Sequence, residues 1–447
     1  MVKRQAVLLI HGIGEQKPMD TLRRFVDSVW TRDTAIHNVY AGNGMWSKPD
    51  NVSESYELRR LTTPSNSANI RTDFFEFYWA HLMKGTRSGH VLAWARSLLL
   101  RNPATVPAHL RQVYWLVIAL LTAAGGFGIY ALIATGGRGV KAPAWVSAVI
   151  SIALLPVVRF VVQSIVGDAA RYLNPAPTNV QRRHQIRHAG IELLKALHER
   201  GYDRIIVVGH SLGTVIGYDI LTHSWVHYHD AVTSGVEMEA LKELESLALH
   251  PGSLSNSELQ EAQRRYFEAL GQGGNAWRVT DFVTMGSPLA HAALLLAKDR
   301  VDLDRKKEDR ELPTCLPTLE AFKRAGKVVH RFSFPLDSND NHRVPHHAAM
   351  FGPTRWTNLY FPCRGIVRGD LIGGELAPVF GAGIRDCKVS TKQRLGFLSH
   401  TLYWAFPENA KTTPQHITEL RRALDLTDSR SAKGQGPPVV ATNPAHP

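Results

Sequence analysis

Gly209-His210-Ser211-Leu212-Gly213 sets a serine between glycines, directly after the β-branched run 204–208 (RIIVV) and directly before a helix-like stretch, TVIGYDILTHSW. A strand that turns sharply into a helix lifts the hydroxyl at the turn above the sheet edge. There a neutral imidazole can take its proton and make it an acyl-transfer nucleophile. A second feature lies near the N-terminus, where the strand-like run 6–10 (AVLLI) ends in His11-Gly12-Ile13-Gly14. The useful groups there are backbone amides: those of Ile13 and Leu212 would form an oxyanion hole for charge developing on a substrate oxygen. His11 reads as a structural histidine that bonds loop backbone.

VLLIHGIG, IIVVGHSLG and FVTMGSPL (282–289) occur in that order. They resemble the first core strand, the nucleophile strand and the following strand of the α/β-hydrolase superfamily. GHSLG with TMGSPL is similar to its lipases, including the inositol-deacylase type that acts on glycolipid anchors. The resemblance covers residues 1–80 and 180–410 and rests on three short motifs. It implies an α/β fold, a mostly parallel sheet flanked by helices, and the order serine, acid, histidine, which places both partners after Ser211. TNLYFPCRGIVRGDLIGG (357–374) is similar to the W-x-N-x-Y…D segment of related hydrolases and makes Asp370 the expected acid, with Asp386 and Asp337 as rivals. GFLSHTLYW (396–404) makes His400 the expected base.

These residues need a sizeable scaffold. The chain has 447 residues, 44% hydrophobic, with 10 Trp, 12 Tyr and 16 Phe, which excludes a disordered, collagen-like or coiled-coil chain. Three scattered cysteines (Cys315, Cys363, Cys387) make no disulfide framework or CxxC site. No P-loop, dinucleotide fingerprint or internal repeat occurs, so no cofactor is expected. His342 and His346 suggest a metal pair, but Pro345 between them disfavours the helix that would align them, and no metal is expected. That segment reads instead as a pH-sensitive loop at the active-site mouth. The stretch 230–274 reads as a helical insertion, either a cap over the substrate or a solvated appendage.

Lys+Arg exceed Asp+Glu by 52 to 39, and most of that excess lies between Lys84 and Arg200. Residues 113–135 (VYWLVIALLTAAGGFGIYALIAT) carry no charge and are long enough to span a hydrocarbon core of about 30 Å as a helix. A second apolar run covers 142–166, interrupted by Arg159. Joined by GGRGVK, the two would form a hairpin with both ends on one side of the bilayer. The larger share of Arg at those ends places them, and the catalytic part, on the cytoplasmic side. The apolar texture favours a membrane over nucleic acid as the partner of the basic excess. The N-terminal apolar stretch is too short for a signal peptide.

The organisation expected is therefore a core from 1–83 and 176–425, a membrane-associated insertion at 84–175, and a disordered tail at 426–447. The function expected is a membrane-anchored serine hydrolase cleaving lipid or membrane-derived carboxylic esters. Its rivals are a catalytically silent scaffold binding a partner or lipid, and an acyltransferase or amidase using the same triad.

Overall fold

The computed structural model describes residues 2–13, 17–32, 44–53, 55–66, 69–83, 172–173, 177–230, 235–250, 255–324, 326–338, 340–363, 369–390, 399–407 and 412–426, with isolated positions between 103 and 122. The apolar runs 113–135 and 142–166 lie outside the described residues, apart from isolated positions in the first, as does the tail beyond Leu426. Among the described residues no helix is long and apolar enough to cross a membrane.

The centre is an eight-stranded mixed sheet. Its strands are β1 (Lys3–Ile10), β2 (Trp46–Pro49), β3 (Arg59–Ser65), β4 (Ile70–Phe77), β5 (Arg204–His210), β6 (Val279–Met285), β11 (Arg355–Tyr360) and β12 (Arg385–Lys388). Two hairpins, β7 (Glu320–Arg324) with β8 (Lys327–Arg331) and β9 (Ser333–Pro335) with β10 (Arg343–Pro345), stand apart from it. The spatial order is β12-β11-β6-β5-β1-β4-β3-β2. From β12 to β4 every neighbouring pair is parallel, and β3 and β2 turn antiparallel at the far edge.

Alternation along each strand divides its side chains between two apolar layers. On β1, Ala6, Leu8 and Ile10 join one layer and Val7 and Leu9 the other. The first layer is closed by α2 (Pro177–Glu199) and α3 (Leu212–Trp225), through Ile186, Leu194, Val215 and Ile216. The second is closed by α1 (Asp20–Val26) and the C-terminal helix Gln415–Ala423, through Leu22, Phe25 and Leu420. Parallel strands covered on both faces read as continuous apolar runs, and β6 is buried along its whole length.

The strands that follow β1 lie on one side of it, β2 at the edge and then β3 and β4 back inward, and those that follow β5 build outward on the other side, to β6, β11 and β12. The direction of winding therefore reverses between β1 and β5. Loops at the carboxyl ends of these two strands diverge and leave a crevice, the place where open α/β sheets bind ligands.

One placement removes an alternative that the sequence leaves open, and a second corrects the sequence reading. The helical insertion forms α4 (Val236–Leu249) and α5 (Asn256–Gln272), and its contacts put it at the amino edge of the sheet, where α3 ends and β6 begins. Asn256 Nδ2 donates to Ile384 O, Gln263 Nε2 to Phe351 O and Thr354 O, and Asn275 Nδ2 to Tyr228 O. It does not cap the carboxyl edge. The polar segment around His342 and His346 is likewise no loop at the crevice. Arg343 is buried in β10 and bonded to Glu245 of α4, and His346 accepts Trp225 Nε1–H on its carbonyl at the far end of α3.

Candidate active site

Ser211 follows the last residue of β5 and immediately precedes α3, with φ 53° and ψ −129°. A non-glycine residue in this region is strained, and such strain persists only where its surroundings fix it. Here they do. Ser211 N–H donates to Met285 O at 3.0 Å, and its carbonyl accepts from Thr214 N–H (3.0 Å) and Thr214 Oγ1 (2.7 Å). The glycines of the motif are demanded by close approach: a Cβ on Gly213 would stand 2.2 Å from Ile10 O, and one on Gly209 2.6 Å from Thr214 Cα. Leu212 opens α3, so its N–H has no acceptor within the helix and lies at the positive end of the helix dipole.

The loop after β1 comes up against this turn. A Cβ on Gly12 would lie 2.8 Å from Ser211 Cβ and 3.2 Å from His210 Nδ1, so only glycine lets the two loops meet. Ile13 follows it, half-buried, while Gly14 lies outside the described residues. His11 is fully buried and stacked on Trp79 at 5.1 Å. Its Nδ1 bonds Gly12 O, and its carbonyl accepts the Trp79 indole N–H at 2.9 Å. Burial presses its pKa down to about 4, against a smaller upward push from the bond to Gly12. It shapes the loop and is a neutral imidazole at neutral pH.

Asp370 lies past the carboxyl end of β11, with its N–H donated to Phe361 O at 3.2 Å. His400 Nδ1–H donates to Asp370 Oδ2 at 2.9 Å, Tyr403 Oη–H to the same oxygen at 2.8 Å, and Ile372 N–H to Oδ1 at 2.8 Å. The carboxyl is 1% exposed, and burial alone would raise its pKa; His400 and these bonds hold it down at about 2. This carboxylate stays charged at every working pH. It fixes the His400 tautomer with the proton on Nδ1, which leaves Nε2 as the basic atom. His400 Nε2 is buried and has no hydrogen-bond partner among the described residues.

His210 joins the two halves of the site. Its Nε2–H donates to His400 O at 2.8 Å, and its ring lies 4.9 Å from the His400 ring and 4.7 Å from Trp404. Burial, with the charge of His400, pushes its pKa down to about 3, so it remains a neutral donor. Gly286 closes the floor. At φ 57° it takes a conformation only glycine adopts freely, and a Cβ there would lie 2.9 Å from Asp370 Oδ2 and 3.0 Å from His400 Cε1.

The structure thus gathers Ser211, Asp370, His400, Gly12 and the amides of Leu212 and Ile13 at one crevice. It does not bring the rival acids there. Asp386 accepts from Asn358 Nδ2 and from the N–H groups of Leu376 and Ala377, and Asp337 accepts from His342 and Asn341 N–H. Tyr403, Gly286 and the bond from His210 to the base loop are additions. Tyr403 sits three residues after His400, and Gly286 lies inside the TMGSPL motif, so both were within the motifs without their contacts being readable. Cys315, Cys363 and Cys387 form no disulfide. None of the protein-family models, curated proteins or solved structures compared with the chain matches it.

Proposed function

We propose that the chain is a serine hydrolase of the α/β-hydrolase type that cleaves carboxylic esters through an acyl-enzyme. The observation that carries this reading is a histidine pinned by a buried, charged Asp370 on one nitrogen and unpartnered on the other, its ring 4.9 Å from that of His210, the residue before a strained serine at the reversal point of the sheet. The strand order, with the serine after β5 and the acid after β11, supports the hydrolase fold.

In this mechanism His400 Nε2 takes the Ser211 Oγ proton as Oγ bonds the ester carbonyl carbon. The carbonyl π electrons move to its oxygen, which the N–H groups of Leu212 and Ile13 stabilise. Asp370 stabilises the imidazolium without itself being protonated. Collapse of the tetrahedral species breaks the bond to the leaving alcohol, which receives the proton from Nε2. Water, deprotonated by the same nitrogen, then releases the acid and restores Ser211.

Lipid or membrane-derived esters are the proposed substrates, because the apolar runs 113–135 and 142–166 would hold the site at a bilayer and concentrate such esters around it. The test is hydrolysis by the full chain of phospholipids and acylglycerols against short soluble esters. Turnover of the lipids, absent in Ser211→Ala, is the expected result; turnover of soluble esters alone removes the lipid assignment.

A further inference from the structure

We infer that the carboxyl edge of the sheet docks on an anionic lipid surface, so that the crevice faces the bilayer and draws ester lipids from the leaflet to which the chain is attached. This rests on the hydrolase reading above and adds to it an orientation and a second ligand, the anionic headgroup.

Topology provides the first argument. β1, β4 and β5 end on the same edge, and that edge carries Gly12, Trp79 and Ser211. The segment Ala80–Met83 leaves from it immediately after Trp79, whose indole grips His11 O. The described chain resumes at Tyr172 and Leu173, which share one apolar cluster with Met83. Tyr172 Oη–H donates to Asp219 Oδ2 at 2.6 Å, and Arg187 donates to the same oxygen from Nε (2.9 Å) and Nη2 (2.6 Å). Asp219 belongs to α3, the helix that Ser211 precedes. Both roots of the apolar insertion are therefore fastened to the elements that carry the crevice.

Charge provides the second. The first half of α2, 177–190, contains Arg182, Arg183, His184, Arg187 and His188 and no Asp or Glu. Arg187 is committed to Asp219, whereas Arg182, His184 and His188 are exposed and Arg183 is half-buried. Gly190 stands against Phe77, the last residue of β4, and Arg182 Nη1 donates to Leu82 O at 2.7 Å. The basic half of the helix therefore runs beside the departing root. The uncharged run 113–135 between the roots would draw this edge to hydrocarbon, and arginines at the water boundary add headgroup affinity of about fivefold each. A nucleic acid would use the same arginines but leaves the 23 uncharged residues of 113–135 without a partner.

The test uses the full chain reconstituted in phosphatidylcholine vesicles, with or without about one-third phosphatidylglycerol. A fluorescent-tailed diacyl lipid is placed in the same vesicles or in separate ones, and a short soluble p-nitrophenyl ester serves as control. Lipid turnover is expected only within the same vesicles and greater with the anionic lipid. Arg182→Gln with Arg183→Gln should lower it roughly tenfold or more in anionic vesicles while sparing the soluble ester, and the paired Lys variants should restore it. Hydrogen exchange gives a readout independent of turnover: anionic vesicles should protect the amides of 177–190 and Ala80–Met83. Equal turnover in separate vesicles, insensitivity to anionic lipid, or protection by an oligonucleotide in place of vesicles overturns the docking. Protection without turnover of any ester retains the docking and overturns the hydrolase reading.

Discussion

Two buried carboxylates at opposite edges of the sheet differ in what their partners leave open. Glu245 at the amino edge is 4% exposed and accepts four bonds, from Phe332 N–H, Ser333 N–H, Ser333 Oγ and Arg343 Nη1. Arg343, 3% exposed, is also bonded to both oxygens of Asp340, so the network is closed by a cation that does not exchange its proton. Burial still raises the Glu245 carboxyl, against these bonds. Asp370 at the carboxyl edge is buried as deeply but held at about 2, and its partner is a histidine whose far nitrogen is unpartnered. The first pair is finished; the second has one valence left for a substrate. The difference teaches that, under the proposed hydrolase reading, reactivity resides in the atom that the network leaves open.

The comparison breaks first at the reactive pair. His400→Gln or Asp370→Asn should reduce ester turnover by about a thousandfold or more, since either removes the oriented basic nitrogen, while far-UV circular dichroism stays that of the parent. A rate within tenfold of the parent for Asp370→Asn would assign the acid elsewhere. At the amino edge the signs reverse. Glu245→Ala leaves Arg343 buried with half its partners gone and should cost about 3–5 kcal/mol in denaturant unfolding, with kcat of the remaining folded enzyme unchanged.

Glu76 of β4 tests a third carboxylate. It is 1% exposed, accepts among the described residues only Met19 N–H at 2.8 Å on one oxygen, and burial raises it from 4.5 to about 7. The folded state therefore binds this proton more tightly than the unfolded chain, and stability falls as pH rises from 4.5 to about 7. Glu76→Gln should remove that fall, with a gain of up to about 3 kcal/mol at pH 8 and almost none at pH 4, read from paired thermal melts. The smallest effect concerns the strained turn. Ser211→Gly should unfold about 1 kcal/mol later than the parent while losing all turnover, because the strain at φ 53° serves the hydroxyl.

Local and long-range information explain which parts were legible. The turn at Ser211 was readable because strand, glycine pair and helix are contiguous, and Asp370 and His400 followed from chain order within a resemblance. The bond from His210 to His400 spans 190 residues and Glu245 reaches Arg343 across 98, so neither leaves a local pattern. A stretch rich in Asn, Asp and His reads as exposed loop until the distant carboxylate that buries its arginine is known. Helical texture likewise identified α4 and α5 without saying at which edge they sit. That placement follows from where α3 ends.

The central claim is that Ser211 is an activated nucleophile. The most direct measurement is reaction of the full-length protein in detergent with a fluorophosphonate, followed by peptide mapping, beside the Ser211→Ala and His400→Gln variants. The account predicts one adduct, on Ser211, absent from the first variant and strongly slowed in the second. A folded parent that takes up no probe, or that carries it on another residue, would contradict it.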